Sequence, residues 1–179
     1  MGRVRLCAWA LAMVCAAAPG LAAEYDVTRL FAKGEWSVDL TYNTAENITW
    51  CAADTENRAG QWFSIVAYDE GGAAVFLGDP QWQLSPRDIR LRLDIDYSRW
   101  DIDAEAAEES VVFFLSGAEA APDFLVELMR GSAISAFNDD GDQLAEFSLT
   151  GSHAAMTELI ECWQRIDRRD PFAESSDPF

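Results

Sequence analysis

Histidine is nearly missing from this chain. His153 stands alone among 179 residues, beside four cysteines and 13 Lys and Arg against 31 acids. Each shortage closes off chemistry. A single imidazole stands at the first turn of what reads as a helix. It has no second nitrogen ligand for a metal and no G-x-S-x-G elbow to serve. With a net charge of −18, the chain lacks the clustered Lys and Arg that nucleic acid and anionic membrane surfaces require. Beyond the N-terminal segment no apolar run reaches membrane length, so no membrane insertion of the remaining chain is expected. The sequence therefore assigns no catalytic residue and no cofactor.

What is present begins with an address. Arg3 and Arg5 precede an apolar run over 6–18, Pro19-Gly20 breaks it, and Ala22 and Ala23 supply small residues. This is the layout of a secretory signal peptide over 1–23, too short in its apolar part to span a membrane. Cleavage after Ala22 or Ala23 leaves a chain starting near Glu24, bound for the periplasm or the exterior. Lipid attachment at Cys15 is the alternative, opposed by Met13 and Val14 where processing prefers small residues. Cleavage removes two of the 13 basic residues and none of the 31 acids, which moves the net charge from −18 to −20. Cys7 and Cys15 also leave. Cys51 and Cys162 then allow one intramolecular disulfide, which an oxidising compartment favours.

The exported part is long enough for one domain with a real core. A lead-in up to Gly34, with a helical turn over 28–32, precedes a strand over 36–42 of strict alternation. A second strand over 49–53 carries Cys51. A hairpin joins 61–68 to 73–77 through Asp69, Glu70, Gly71 and Gly72, and Trp82 with Leu84 forms a short edge segment. In the clearest strand Ile89, Leu91, Leu93, Ile95 and Tyr97 share one face and Arg90, Arg92, Asp94 and Asp96 the other. An acidic connector over 101–109, an apolar strand over 111–115, a short helix over 122–130 and a hairpin of 133–137 with 144–149 follow. A long amphipathic helix over about 152–168 closes the domain, with Ser152 as its cap, Ala155, Leu159, Cys162, Trp163 and Ile166 as its apolar stripe, and Glu161 paired to Arg165. The fold expected is α+β: a single antiparallel β-rich domain over 24–169, sandwich- or barrel-like, with the C-terminal helix tied to the sheet by the disulfide. The tail over 170–179 reads as disordered.

Two groups of residues are candidates for function. Asp94, Asp96, Asp101 and Asp103, with Glu105, Glu108 and Glu109 behind them, could hold a cation weakly through oxygen, against the default of a solvated acidic face. The run Asn138-Asp139-Asp140-Gly141-Asp142 lacks the spacing and closing Glu of a calcium loop and reads as a turn. Trp62, Trp82 and Trp100, like Trp36 and Trp50, could stack on a ligand or fill the core.

Phe124-Leu125, Leu128-Met129-Arg130-Gly131, Ile134, Gly141, the run Phe147-Ser148-Leu149-Thr150-Gly151-Ser152, Ala154-Ala155 and Leu159 together form a loose pattern. It resembles the C-terminal half of small exported bacterial proteins of the invasion-associated locus B type. There a segment ending in glycine leads to a hairpin and then to a glycine-led helix. Leu93-Asp94-Ile95-Asp96 resembles a mid-chain strand of that family. The family's extra mid-chain cysteines are absent here, and Ser152 stands where it has a bulky aromatic. The resemblance implies an exported β-rich interaction module and transfers no catalytic residue.

The function expected is thus a non-enzymatic periplasmic binding or envelope-associated protein, with an unidentified envelope protein or glycan as partner. A calcium-dependent or carboxylate-based enzyme using the 94–109 segment, or an inhibitor of a periplasmic enzyme, is the alternative. Export is directly testable: the intact mass of the protein recovered from the periplasm should correspond to a chain starting at Ala23 or Glu24. A periplasmic product that retains residues 1–22 would overturn the signal-peptide reading.

Overall fold

A computed structural model describes residues 25–115 and 120–167, so the expected leader over 1–23 and tail over 170–179 lie outside the described residues. In chain order the elements are β1 (Tyr25–Lys33), β2 (Trp36–Asn43), β3 (Ile48–Glu56), β4 (Trp62–Tyr68), β5 (Ala73–Gly78), β6 (Leu84–Ile95), β7 (Ser98–Glu108), β8 (Ser110–Phe114), α1 (Ala120–Arg130), β9 (Ala133–Phe137), β10 (Gln143–Ser148) and α2 (Ser152–Ile166). The strands make one antiparallel sheet of ten, in the order β1-β2-β3-β4-β5-β8-β7-β6-β9-β10. This is the α+β architecture expected, with the long helix at the C-terminus.

The alternation of each strand decides which side chains enter the core. Trp36 and Val38 of β2, Cys51 and Ala53 of β3, Phe63 and Ile65 of β4, Val75 and Leu77 of β5 and Leu91, Leu93 and Ile95 of β6 all point to one face and are buried there. That face is concave. The indole N–H of Trp36 donates to the Ser148 carbonyl at 3.2 Å, Asn57 Nδ2 to the Glu146 carbonyl at 3.1 Å and Gln61 Nε2 to the Leu144 carbonyl at 2.9 Å. Phe63 packs on Phe147 with ring centroids 5.7 Å apart. Strand β10, last in the sheet order, therefore reaches the tips of β2, β3 and β4 through side chains.

Helix α2 fills the concave face. Ser152, Ala155, Met156, Leu159 and Cys162 are its buried stripe. Cys162 is bonded to Cys51 of β3 with Cα atoms 6.1 Å apart. At its far end the Trp163 indole N–H donates to the Tyr68 carbonyl at 3.1 Å. Helix α1 joins the same core through Phe124 and Leu128, both fully buried, with the Phe124 ring edge-on to Trp100 and to Phe113.

The structure corrects several local expectations. Residues 28–32 are not a helical turn but part of β1, where Arg29 lies opposite Asp39 and Phe31 opposite Val38; ladder bonds to β2 outweigh a weak local preference. The acidic connector over 101–109 is largely strand β7: Asp101, Asp103 and Glu105 alternate with Ile102, Ala104 and Ala106, and small alanines hid the period of two. Strand β6 starts at Leu84, earlier than expected, and accommodates Pro86 at a register shift, where a missing N–H is tolerated. Tyr97 does not share the buried face. It sits with Asp96 in the two-residue turn between β6 and β7 and is fully exposed.

Ser152 does not cap its own helix. The N-cap is Gly151, at φ 98°, with no side-chain cap bond. The Ser152 hydroxyl instead donates to the Leu128 carbonyl at 2.6 Å, satisfying a carbonyl in the last turn of α1. Arg165 reaches Glu158 at 3.0 Å and not the Glu161 side chain; its Nε donates to the Glu161 backbone carbonyl instead.

Closing 111 positions of chain, the disulfide should contribute about 4–5 kcal/mol in the chain-entropy picture. Reductant is therefore expected to lower the denaturant midpoint in proportion, and Cys51→Ser/Cys162→Ser to match the reduced protein. Identical midpoints with and without reductant would contradict this account.

Candidate functional site

Period-two alternation also decides what the convex face shows, and its two halves differ. Over β6 and β7 that face is charged. Arg90 lies 3.6 Å from Asp103, and Asp94 lies 3.3 Å from Arg92 and 3.6 Å from Arg99. The Arg92 guanidinium also sits over the Phe137 ring at 4.1 Å. Asp96 is elsewhere, in the β6–β7 turn at φ 49°, where its carboxylate accepts the backbone N–H of Ser132 at 3.0 Å and of Ala133 at 3.3 Å. Asp101 and Asp103 stand exposed on β7. Of the four aspartates singled out in the sequence, Asp94 is thus tied to arginines, Asp96 to backbone, and Asp101 and Asp103 face water. Among the described residues no three His, Cys, Asp or Glu side chains gather as a metal-ligand set. His153 is exposed on the first turn of α2.

Over β3, β4, β5 and β8 the convex face is apolar. One cross-strand row runs Ala52, Val66, Ala74, Phe114. The next runs Asp54, Ser64, Phe76, Val112, Glu105. Trp50 and Trp62 flank these rows on β3 and β4. Ala52 and Val66 are 8% exposed and Ala74 is 0%, yet all three stand outside the core cluster. Among the described residues both helices lie on the other, concave side. Phe114 is 65% exposed, and on the strand edge Tyr25 and Val27 are 49% and 60% exposed. The Tyr25 ring meets Trp50 edge-on at 6.0 Å, extending the apolar surface to β1. An antiparallel sheet with one face in the core normally shows polar residues on the other. Here Asp54 and Glu56 of β3, Ser64 of β4 and Ser110 of β8 are outnumbered by Trp50, Ala52, Trp62, Val66, Ala74, Phe76, Val112 and Phe114.

Comparison with protein-family models, curated proteins and solved structures found no match.

The three candidate tryptophans separate. Trp62 belongs to the convex face, where its ring lies across Gly78 of β5 so closely that a Cβ there would run into it. Trp100 belongs to the core, its indole N–H donating to Glu127 Oε2 at 2.8 Å. Trp82 packs against the core rim and lines a cleft beside β6. Phe76, Val112 and Phe114 were not singled out in the sequence. Their signal was there in the unbroken apolar runs of β5 and β8, which leave no polar set for a wet face.

Charge borders the apolar rows on the β2–β3 side as well. Arg29 grips Asp39 through two hydrogen bonds, and Asp54 lies beside Ser64. Burial pushes the Asp54 carboxyl above the usual carboxylate range. A hydrogen bond with Ser64 opposes that shift, the Asp39 charge adds to it, and the Arg29 charge opposes it. Burial likewise raises the Tyr68 hydroxyl.

A carboxyl raised in the folded state binds its proton more tightly there than in the unfolded chain. Its contribution to stability is therefore full at pH below the unfolded value and is lost as pH rises through the folded one. Asp54→Asn removes that loss and keeps an acceptor for Ser64. The variant should gain melting temperature relative to the parent at neutral pH, with the gain shrinking toward pH 3. A gain that grows on acidification would refute the assignment.

Proposed function

We propose that this is an exported, non-enzymatic binding protein of the bacterial envelope whose working surface is the convex face of β3, β4, β5 and β8. The observation that carries this reading is the exposed Phe114 with the half-buried Trp50, Trp62, Phe76 and Val112 beside it, outward-facing aromatic and apolar side chains set around the buried Ala52, Val66 and Ala74. Aromatic side chains left partly open on an outward sheet face mark a site of association, and aromatic residues are enriched in interface cores.

The partner we infer is a protein with an apolar centre and a basic periphery. The apolar rows end in acids on both sides: Asp54, with Asp39 and Glu56 near it, toward β2, and Glu105, with Asp101 and Asp103, on β7. A second copy of this chain would set those acids against their like at a net charge of −18, so self-association through this face is disfavoured. The N-terminal signal layout and the Cys51–Cys162 disulfide agree with an oxidising compartment. Among the described residues no helix is long and apolar enough to cross a membrane. The resemblance to exported proteins of the invasion-associated locus B type supports an interaction module.

The test compares two variants at exposed aromatics. Phe114→Asp lies in the patch; Tyr97→Asp lies at the β6–β7 turn, away from it. Immobilised protein should retain a defined basic species from envelope extract, lose it at least about tenfold with Phe114→Asp, keep it with Tyr97→Asp, and release it at high salt. Equal retention by both variants would remove the convex face from consideration.

A further inference from the structure

Strand β6 pairs unequally with its two neighbours. With β7 it pairs along its length, from Leu84 to Ile95, but with β9 only from Arg92 to Ile95. Over 84–91 its second edge faces a cleft of about 420 Å3, closed on the far side by the β9–β10 turn. Consecutive residues Arg87, Asp88, Ile89, Arg90 and Leu91 all line this cleft. Side chains of one strand that point to opposite faces can share a cleft only when the cleft looks onto the strand edge. The volume falls within the range that holds small ligands, about 300–1,000 Å3.

The geometry points to an extended basic peptide that adds to β6 as a strand. An unpaired edge offers main-chain donors and acceptors to an incoming strand, and pockets for its alternate side chains supply selectivity. Toward the concave side the cleft is apolar, lined by Trp82, Leu84, Ile89 and Leu144, all half-buried. Toward the convex side it is charged, with both Asp88 and Arg90, and at the turn it is negative. Asp88 lies opposite Glu105 in the β6–β7 register, and Asp139 and Asp140 project from the turn. Arg87 and Arg90 line the cleft too, so its acids, Asp88, Asp139 and Asp140, outnumber its bases by three to two, with both turn acids on the side away from β6. A strand laid here directs every second side chain onto Trp82 and Leu144 and the others toward acids. Its matching pattern alternates apolar and basic residues. This site is separate from the convex face, so its test can fail without touching the reading above.

The probe is a short peptide of alternating valine and lysine, titrated into the whole exported chain by calorimetry. It should bind at least about tenfold more tightly than an alternating valine–glutamate peptide, and N-methylation of its ladder-facing amides should weaken it by about the same factor. Asp139→Lys/Asp140→Lys should weaken the valine–lysine peptide on the order of tenfold with the melting temperature unchanged. The amides of 84–91 should gain hydrogen-exchange protection on binding. No binding of the valine–lysine peptide, equal binding of its N-methylated form, insensitivity to the charge reversal, or loss of binding with Phe114→Asp would each overturn the proposal.

Discussion

Helix α2, laid along β2, β3 and β4 and bonded to Cys51 through Cys162, sets how tightly the sheet can curl. Ten strands in one sheet cannot bury a core by ladder bonds alone, because twisted open sheets of that size curl or split. The stripe Ala155, Met156, Leu159 and Cys162 gives the concave face something to close on. Gly151 turns the chain from β10 into the helix, and Ser152 takes up the Leu128 carbonyl of α1. One residue thus joins the start of one helix to the end of the other. With the helices fixed this way, β10 is held against the tips of β2, β3 and β4, where Trp36, Asn57 and Gln61 bond its carbonyls.

Filling only one face has a consequence on the other. Both helices lie inside the curl among the described residues, and the convex side chains of β3, β4, β5 and β8 meet in cross-strand rows. Ala74 is fully buried between Val66 and Phe114 in its row, while Phe114 itself is 65% exposed. The neighbouring strands β6 and β7 carry Arg90, Arg92, Asp94, Asp101 and Asp103 on the same face. That division between an aromatic half and a charged half follows residue choice along the strands.

Where alternation was strict, the fold could be read directly, as in β2 and the buried half of β6. The disulfide followed from counting the cysteines that lie beyond the expected signal segment. Strand β7 escaped because alanine is neutral in a period-two pattern, and β1 escaped because its partner, more than its own composition, makes it a strand. Ser152 was misjudged for a different reason: a serine before a helix can bond its own N–H groups or any carbonyl brought close, and only the packing of α1 decides. The convex patch was legible in part. Val111 to Phe114 is visibly apolar throughout, but an apolar run means either that both faces are covered or that one is kept for a partner. Single-chain pattern does not separate those cases; the position of α1 and α2 does.

The cleft beside β6 has the same origin as the closure of the curl. Strand β6 spans Leu84–Ile95, whereas β9 spans only Ala133–Phe137, and the turn after Phe137 is held by Asn138 through bonds to Asp142. From there β10 is drawn toward the β3–β4 tip: Gln61 Nε2 bridges Asp79 and the Leu144 carbonyl, each at 2.9 Å. A hairpin pulled to that tip cannot also lie along the first half of β6. The bonds that seal one end of the sheet therefore hold the other edge of β6 open, with Leu144 shared between seal and cleft. An occupant of the cleft would press on the segment that Gln61 anchors. Weakening that anchor should loosen the curl and the cleft together, which ties the shape of the core to the accessibility of the edge.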